Sequence, residues 1–226
     1  MYENLKSKVN THYDTRIATF TNDLEQITTG HALNNWYYRD RMTEAAYQIA
    51  KATPEDQPLP EVCKKKMLVR FDRENEKYRA NALAKLETAA ACEPLESVTF
   101  SVDWHNNRTW GKNPTAEVRA CSRTRATTTE GKASGCGYDK ESAAIASACN
   151  HNPQFMRLLY DHAEKGGKFS YSIYTGDHGL PWIDGGCGVS CWRSVFEDCG
   201  FTFEDIHHSK NSDSYRAYRK GAFNYE

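Results

Sequence analysis

The sequence predicts an α+β protein, with a helical bundle or hairpin over residues 1–93 and an antiparallel sheet with packed helices over 94–226. Three observations predict it. Apolar residues recur at helical spacing through the first third of the chain. At Pro94 the period changes from 3.6 to 2. Beyond that point two glycine-bracketed cysteines, Cys136 and Cys187, each stand before a helix-like segment.

Residues 2–28 carry Leu5, Val9, Tyr13, Ile17, Phe20, Leu24 and Ile27 at spacings of three and four. That is one sustained apolar face, close to a coiled-coil seam, and Thr29-Gly30 is expected to stop it. A second helix is expected over residues 31–52, turning Leu33, Trp36, Tyr37, Ala46 and Ile49 inward and ending before Pro54. Pro54 to Pro60 is a stiff linker, and Pro60 suits the start of a third helix over 61–91. Its stripe is Met67, Phe71, Tyr78, Ala82, Leu86 and Ala89. Core packing explains these stripes. A seam this long can also meet a copy of itself, so the second reading is a homodimer through the N-terminal helices.

After Pro94, Val98, Phe100, Val102 and Trp104 alternate with polar residues, as do Ala116, Val118 and Ala120. The two runs predict a hairpin with a long connecting loop. Residues 123–132 are polar and threonine-rich, a strand extension or a flap. Helices follow over 139–149 and 153–165, the second ended by Gly166-Gly167. Phe169, Tyr171 and Ile173 alternate as another strand. A loop over 175–188 leads to a helix over 189–199 with Gly200 at its C′ position, and strands over 201–207 and 213–219 close the fold.

Charge and hydropathy exclude several functions. Lysine and arginine total 29 against 30 acidic residues, a net charge of −1, which argues against a polycationic nucleic-acid coat and against an acidic DNA mimic. Mean hydropathy is −0.78, and no apolar run approaches the roughly 20 residues of a membrane span. The first residues lack a charged-then-apolar leader, so the host cytoplasm is the expected compartment and the eight cysteines are expected as free thiols.

The chemistry-bearing segments are few. Gly135-Cys136-Gly137-Tyr138-Asp139-Lys140 reads as a tight loop opening a helix, with Asp139 as N-cap and Glu141 in the first turn. Gly186, Cys187, Gly188 and Ser190 repeat the pattern. Two such helix starts facing one pocket would suit a phosphate or nucleotide, although neither fits a phosphate-loop or dinucleotide signature. Otherwise they are only turns. Cys136 or Cys187 at a helix N-terminus could act as a nucleophile if paired with one of His105, His151, His178, His207 or His208. Packed thiols are the simpler account. Cys187, Cys191, Cys199 and His207-His208 lack the usual zinc spacing, and adjacent strand histidines point to opposite faces. No metal or cofactor is expected. Arg108, Trp110 and Lys112 in the hairpin loop, with Trp182, interleave aromatics and cations in a way that suits stacking on bases or on another protein.

Residues 109–114 (TWGKNP), 135–146 (GCGYDKESAAIA) and 185–190 (GGCGVS), with Phe196 and Gly200, resemble motifs of a group of proteins carried by phages and conjugative elements of gut bacteria. The resemblance spans roughly residues 97–220 and brings no established activity or catalytic residue. Its context implies an accessory binding protein, an inhibitor of a host nucleic-acid-targeting defence system of the anti-CRISPR kind. Such a protein would act without catalysis on a host defence protein or ribonucleoprotein, or on nucleic acid. The alternatives are a nucleotide-sequestering protein and a cysteine-dependent enzyme.

Overall fold

The structure is a computed structural model and describes residues 1–105, 113–132, 140–167, 194 and 196–219. Helices α1 (Glu3–Gln26), α2 (Thr29–Asn34), α3 (Trp36–Arg39), α4 (Glu44–Lys51) and α5 (Glu61–Ala90) come first. Strands β1 (Ser97–Asp103), β2 (Thr115–Cys121) and β3 (Ala126–Lys132) follow, then α6 (Lys140–Asn150), α7 (Pro153–Glu164), β4 (Thr202–His208) and β5 (Ser212–Tyr218). The chain is α+β. Its contacts divide it into two compact units, Ser7–Asn81 and Met1–Lys6 with Ala82–Glu226.

In the helical unit the α1 face is as the spacing predicts, with Val9, Tyr13, Phe20 and Leu24 buried. Phe20 stacks on Phe71 at 4.0 Å between ring centroids. The expected single helix over 31–52 is three short ones. Each break is a side-chain cap: Thr28 Oγ1 accepts from His31 N, Asn35 Oδ1 from Tyr37 N and Thr43 Oγ1 from Ala46 N. Asn35 also ends α2, because its extended backbone (φ −96°, ψ 115°) cannot continue the helix. The breaks turn Trp36 and Ile49 outward (69% and 39% exposed), where an inward position was expected. Gly30 does not stop α1. It sits inside α2, where its N–H donates to Glu55 O at 2.9 Å and a Cβ would lie 2.9 Å from that of Glu55. Close backbone approach, rather than helix termination, requires this glycine. On α5 the buried row includes Met67, Phe71 and Asn75, while Tyr78 is exposed.

The other unit is a five-stranded antiparallel sheet in the order β3-β2-β1-β5-β4. The first and last strands lie side by side at its centre, Phe100 opposite both Val118 and Tyr215. Val98, Phe100, Val102, Val118 and Ala217 point to one face and are buried there. Helix α6 lies against β3 and β2, and α7 against β2. At Gly131 the β3 backbone lies against the α6 backbone, so that a Cβ there would clash with Ala148 N and Ala144 O. The threonine-rich segment is thus a strand. Thr129 Oγ1 donates to Ala148 O, and the α7 N-cap Asn152 donates to Thr127 O. Phe196 is fully buried among Phe100, Phe155, Phe201 and Phe203.

Two glycines end helices as expected, Gly166 at φ +79° and Gly200 at φ +81°. After each, the paired backbone bonds of a Schellman cap form: Gly167 N to His162 O with Gly166 N to Ala163 O, and Phe201 N to Phe196 O with Gly200 N to Glu197 O. At the start of the chain, Tyr2 donates to Asp161 at 2.7 Å, and the Glu164 carboxylate accepts from Asn4 N and Leu5 N. A carboxylate there satisfies the free N–H groups of α1 and opposes its dipole. Arg157 donates to the carbonyls of Ala90 and Cys92 at the end of α5. The expected strand around Phe169, Tyr171 and Ile173 and the loop after it lie outside the described residues.

Candidate functional site

One end of the sheet carries a polar cluster on the face that is otherwise apolar. Inward positions run Val98, Phe100, Val102 on β1 and Ala217, Tyr215, Asp213 on β5. The last of these is a carboxylate with no exposed surface. A buried carboxylate is costly unless hydrogen-bonded. Asp213 accepts from Trp104 Nε1 at 2.7 Å through Oδ2 and contacts His208 Nδ1 at 2.9 Å through Oδ1. The His208 side chain is 51% exposed, so the pair joins a buried anion to solvent.

Backbone pairing brings these groups together. Trp104 N donates to Asn211 O, which carries the β1–β5 ladder one step past Asp103 and sets the indole beside Asp213. Ser209 and Ser212 close the β4–β5 turn through Ser209 N to Ser212 O and Ser212 N to Ser209 Oγ, fixing His208 opposite Asp213. A register shift between Asp205 and His207 inserts one extra residue in β4. It leaves both Asp205 and His208 on the inward side.

Tyr215 is the next inward residue. Its ring lies 5.3 Å from that of His208, and its hydroxyl donates to Glu141 Oε1 at 2.6 Å. Burial raises its pKa above the ordinary phenol value, and Glu141, Asp213 and Asp205 raise it further. It therefore stays a neutral donor. All three carboxylates act against the phenolate form of Tyr215. His105 stands at the same end with φ +52°, its N–H donating to Asp103 Oδ1 at 2.7 Å.

Of the residues singled out in the sequence, Lys140 opens α6 and is partly buried. Arg108, Trp110, Lys112, Gly135, Cys136, Gly137, Tyr138, Asp139, Trp182, Gly186, Cys187, Gly188 and Ser190 lie outside the described residues. The described flanks of two of these segments do meet. Asp103 pairs with Thr115, Thr115 with Lys132, and Asp103 with Ser212. Asp103, Thr115, Lys132 and Ser212 therefore lie together at the end of the sheet that carries His208 and Asp213.

Described cysteines are free thiols, and burial raises the pKa of Cys63, Cys92 and Cys149 and pushes Cys199 up to about 12. No group of three or more His, Cys, Asp or Glu suited to a metal ion occurs among the described residues. No helix among them is long and apolar enough to cross a membrane. No protein-family model, curated protein or solved structure matches the chain.

The sequence marks His208 only as one of five possible bases and Trp104 only as an alternating strand position, and Asp213 is not singled out. The signal was present, since Asp213 occupies the inward phase of a strand whose other inward positions are Tyr215 and Ala217.

Proposed function

We propose that the chain is an accessory binding protein of a phage or mobile element, an inhibitor of a host nucleic-acid-targeting defence complex, and that its α+β unit engages the partner at the polar end of the sheet. The observation that carries this reading is the shared placement of the segment ends. Asp103 and Thr115, on either side of the sequence that holds Arg108, Trp110 and Lys112, pair with each other, and Lys132, which precedes the first glycine loop in sequence, pairs with Thr115, while Ser212 pairs with Asp103. Aromatic and arginine side chains are the residue types that anchor interfaces. The near-neutral charge favours a protein or ribonucleoprotein surface over bare duplex, which would call for a net basic face.

The motif resemblance supplies the biological context. The test is a reconstituted defence nuclease programmed against a defined target, titrated with the full chain. Cleavage should be suppressed at stoichiometric chain. Suppression should weaken at least tenfold in Trp110→Ala with Lys112→Ala. Full-rate cleavage in the presence of excess chain rejects the reading.

A further inference from the structure

The polar end of the sheet has the parts to act on what it binds, which goes beyond partner binding. We infer that His208 is a proton-transfer residue for hydrolysis of a neutral acyl group, an ester or thioester, with Asp213 and Trp104 as the residues that position it.

The argument starts from the carboxylate. An ionised Asp213 can only accept hydrogen bonds, so the hydrogen between it and His208 sits on Nδ1. The neutral ring then has its basic lone pair on Nε2. Among the described residues His208 makes its hydrogen bond through Nδ1, and half of its side chain is open to solvent. Trp104 Nε1 holds the other carboxylate oxygen, so Asp213 cannot swing away from the ring. The carboxylate also offsets the charge that the ring gains when it is protonated. A buried aspartate between an indole and a half-open imidazole is a poor packing choice, because an apolar residue would fill that slot without desolvating a charge. It makes sense as a device that fixes one tautomer.

The surrounding charge selects the substrate class. Asp205, Asp213 and Glu141 all act on Tyr215, beside the His208 ring. A phosphate ester at Nε2 would bring its charge toward the Asp213 carboxylate, whose Oδ1 lies 2.9 Å from Nδ1 of the same ring, whereas a neutral carbonyl meets no such repulsion. In the step, Nε2 takes a proton from water as the water oxygen bonds to the acyl carbon and the carbonyl π pair moves onto oxygen. The intermediate collapses, the bond from carbon to the leaving oxygen or sulfur breaks, and the imidazolium returns its proton to that atom. Water is the only co-reactant, and the products are a carboxylic acid and an alcohol or thiol.

The experiment uses the purified full chain with p-nitrophenyl acetate as a neutral probe and p-nitrophenyl phosphate as a charged one. General acid–base assistance is worth roughly 10²–10⁴-fold. His208→Gln should therefore slow acetate hydrolysis by at least tenfold and abolish the rise in rate with pH through one ionisation. This position is half exposed, so circular dichroism should show an unchanged fold. Asp213→Asn should slow the reaction similarly, because an amide donates to Nδ1 and moves the ring hydrogen to Nε2. His207→Gln, on the opposite side of β4, should keep the wild-type rate. Acetate hydrolysis that is equal in wild type and His208→Gln overturns the inference, as does a wild type no faster than buffer. Turnover of the phosphate probe overturns the neutral-acyl assignment. Nuclease inhibition is read in a separate assay, so either proposal can fail while the other stands.

Discussion

Replacing Gly131 with alanine tests whether the sheet and α6 are set by backbone contact. The added Cβ would sit 2.2 Å from Ala148 N, 2.5 Å from Ala144 O and 2.8 Å from Ala148 Cα. All three are backbone atoms, so no side chain can rotate aside. Carbon needs about 3.5 Å from such neighbours, which means α6 must lift by roughly 1 Å. Lifting it loosens Ala144, Ile145, Ala148 and Cys149, each buried now. Overpacking of this kind costs about 1–3 kcal/mol, and the gain from removing a strand glycine, below about 1 kcal/mol, does not offset the upper part of that range. Urea unfolding followed by circular dichroism should show a lower midpoint with unchanged m-value. Because Glu141 is on α6 and accepts from Tyr215, the same variant should lose tyrosine-to-carboxylate coupling, read as a lower phenol pKa by ultraviolet titration. A variant as stable as wild type, with Tyr215 titrating as before, would refute the claim that α6 rests on the β3 backbone.

Further outcomes follow from the caps, the core and the thiols. Asn35→Ala should cost about 1 kcal/mol in thermal unfolding, since Asn35 both ends α2 and starts α3; an unchanged midpoint would mean the breaks are set by packing alone. Phe196→Ala should cost about 3–5 kcal/mol, because its ring is enclosed by four other phenylalanines, and a loss below about 1 kcal/mol would contradict that enclosure. Cys199 has a pKa raised from 9.0 to about 12 by burial, so the folded state keeps its proton where the unfolded chain releases it. Its contribution is fully present below pH 9 and is lost as pH rises toward 12. Cys199→Ala should flatten the alkaline fall in stability, and native Cys199 should resist alkylation at pH 8.

The helices at either end of the first third were legible because they are long and one-faced. Leu5, Val9, Tyr13, Phe20 and Leu24 mark α1 without ambiguity, and all are buried. The middle was not legible. Its apolar residues also fit a helical period, but Asn35 and Thr43 compete for backbone N–H groups, and that local competition outweighs the period. The sheet was legible through alternation, which predicted the β1–β2 hairpin, and the structure sets Val98, Phe100 and Val102 opposite Ala120, Val118 and Ala116. What alternation could not show was the value of its exceptions. Asp213 sits in an apolar phase, and its partners Trp104 and His208 are 109 and five residues away in sequence. Only the β1–β5 and β4–β5 pairings bring the three together.

The choice between His207 and His208 turns on one residue of β4. Phe203 and Asp205 lie inward, opposite Ala217 and Tyr215. Strict alternation from there would send His207 inward and leave His208 on the far face. The shift between Asp205 and His207 absorbs Ile206, which is 52% exposed, and returns the strand with His207 opposite Ser214 and His208 opposite Asp213. Deleting Ile206 should therefore preserve the site. The remaining residues would pair in a regular ladder, Asp205 with Tyr215, His207 with Ser214 and His208 with Asp213. Little apolar burial is lost, because Ile206 is already 52% exposed. The deletion variant should fold and keep ester hydrolysis that depends on His208. If the dependence instead moves to His207, the two histidines exchange faces on deletion, and the claim that the register shift absorbs Ile206 is refuted.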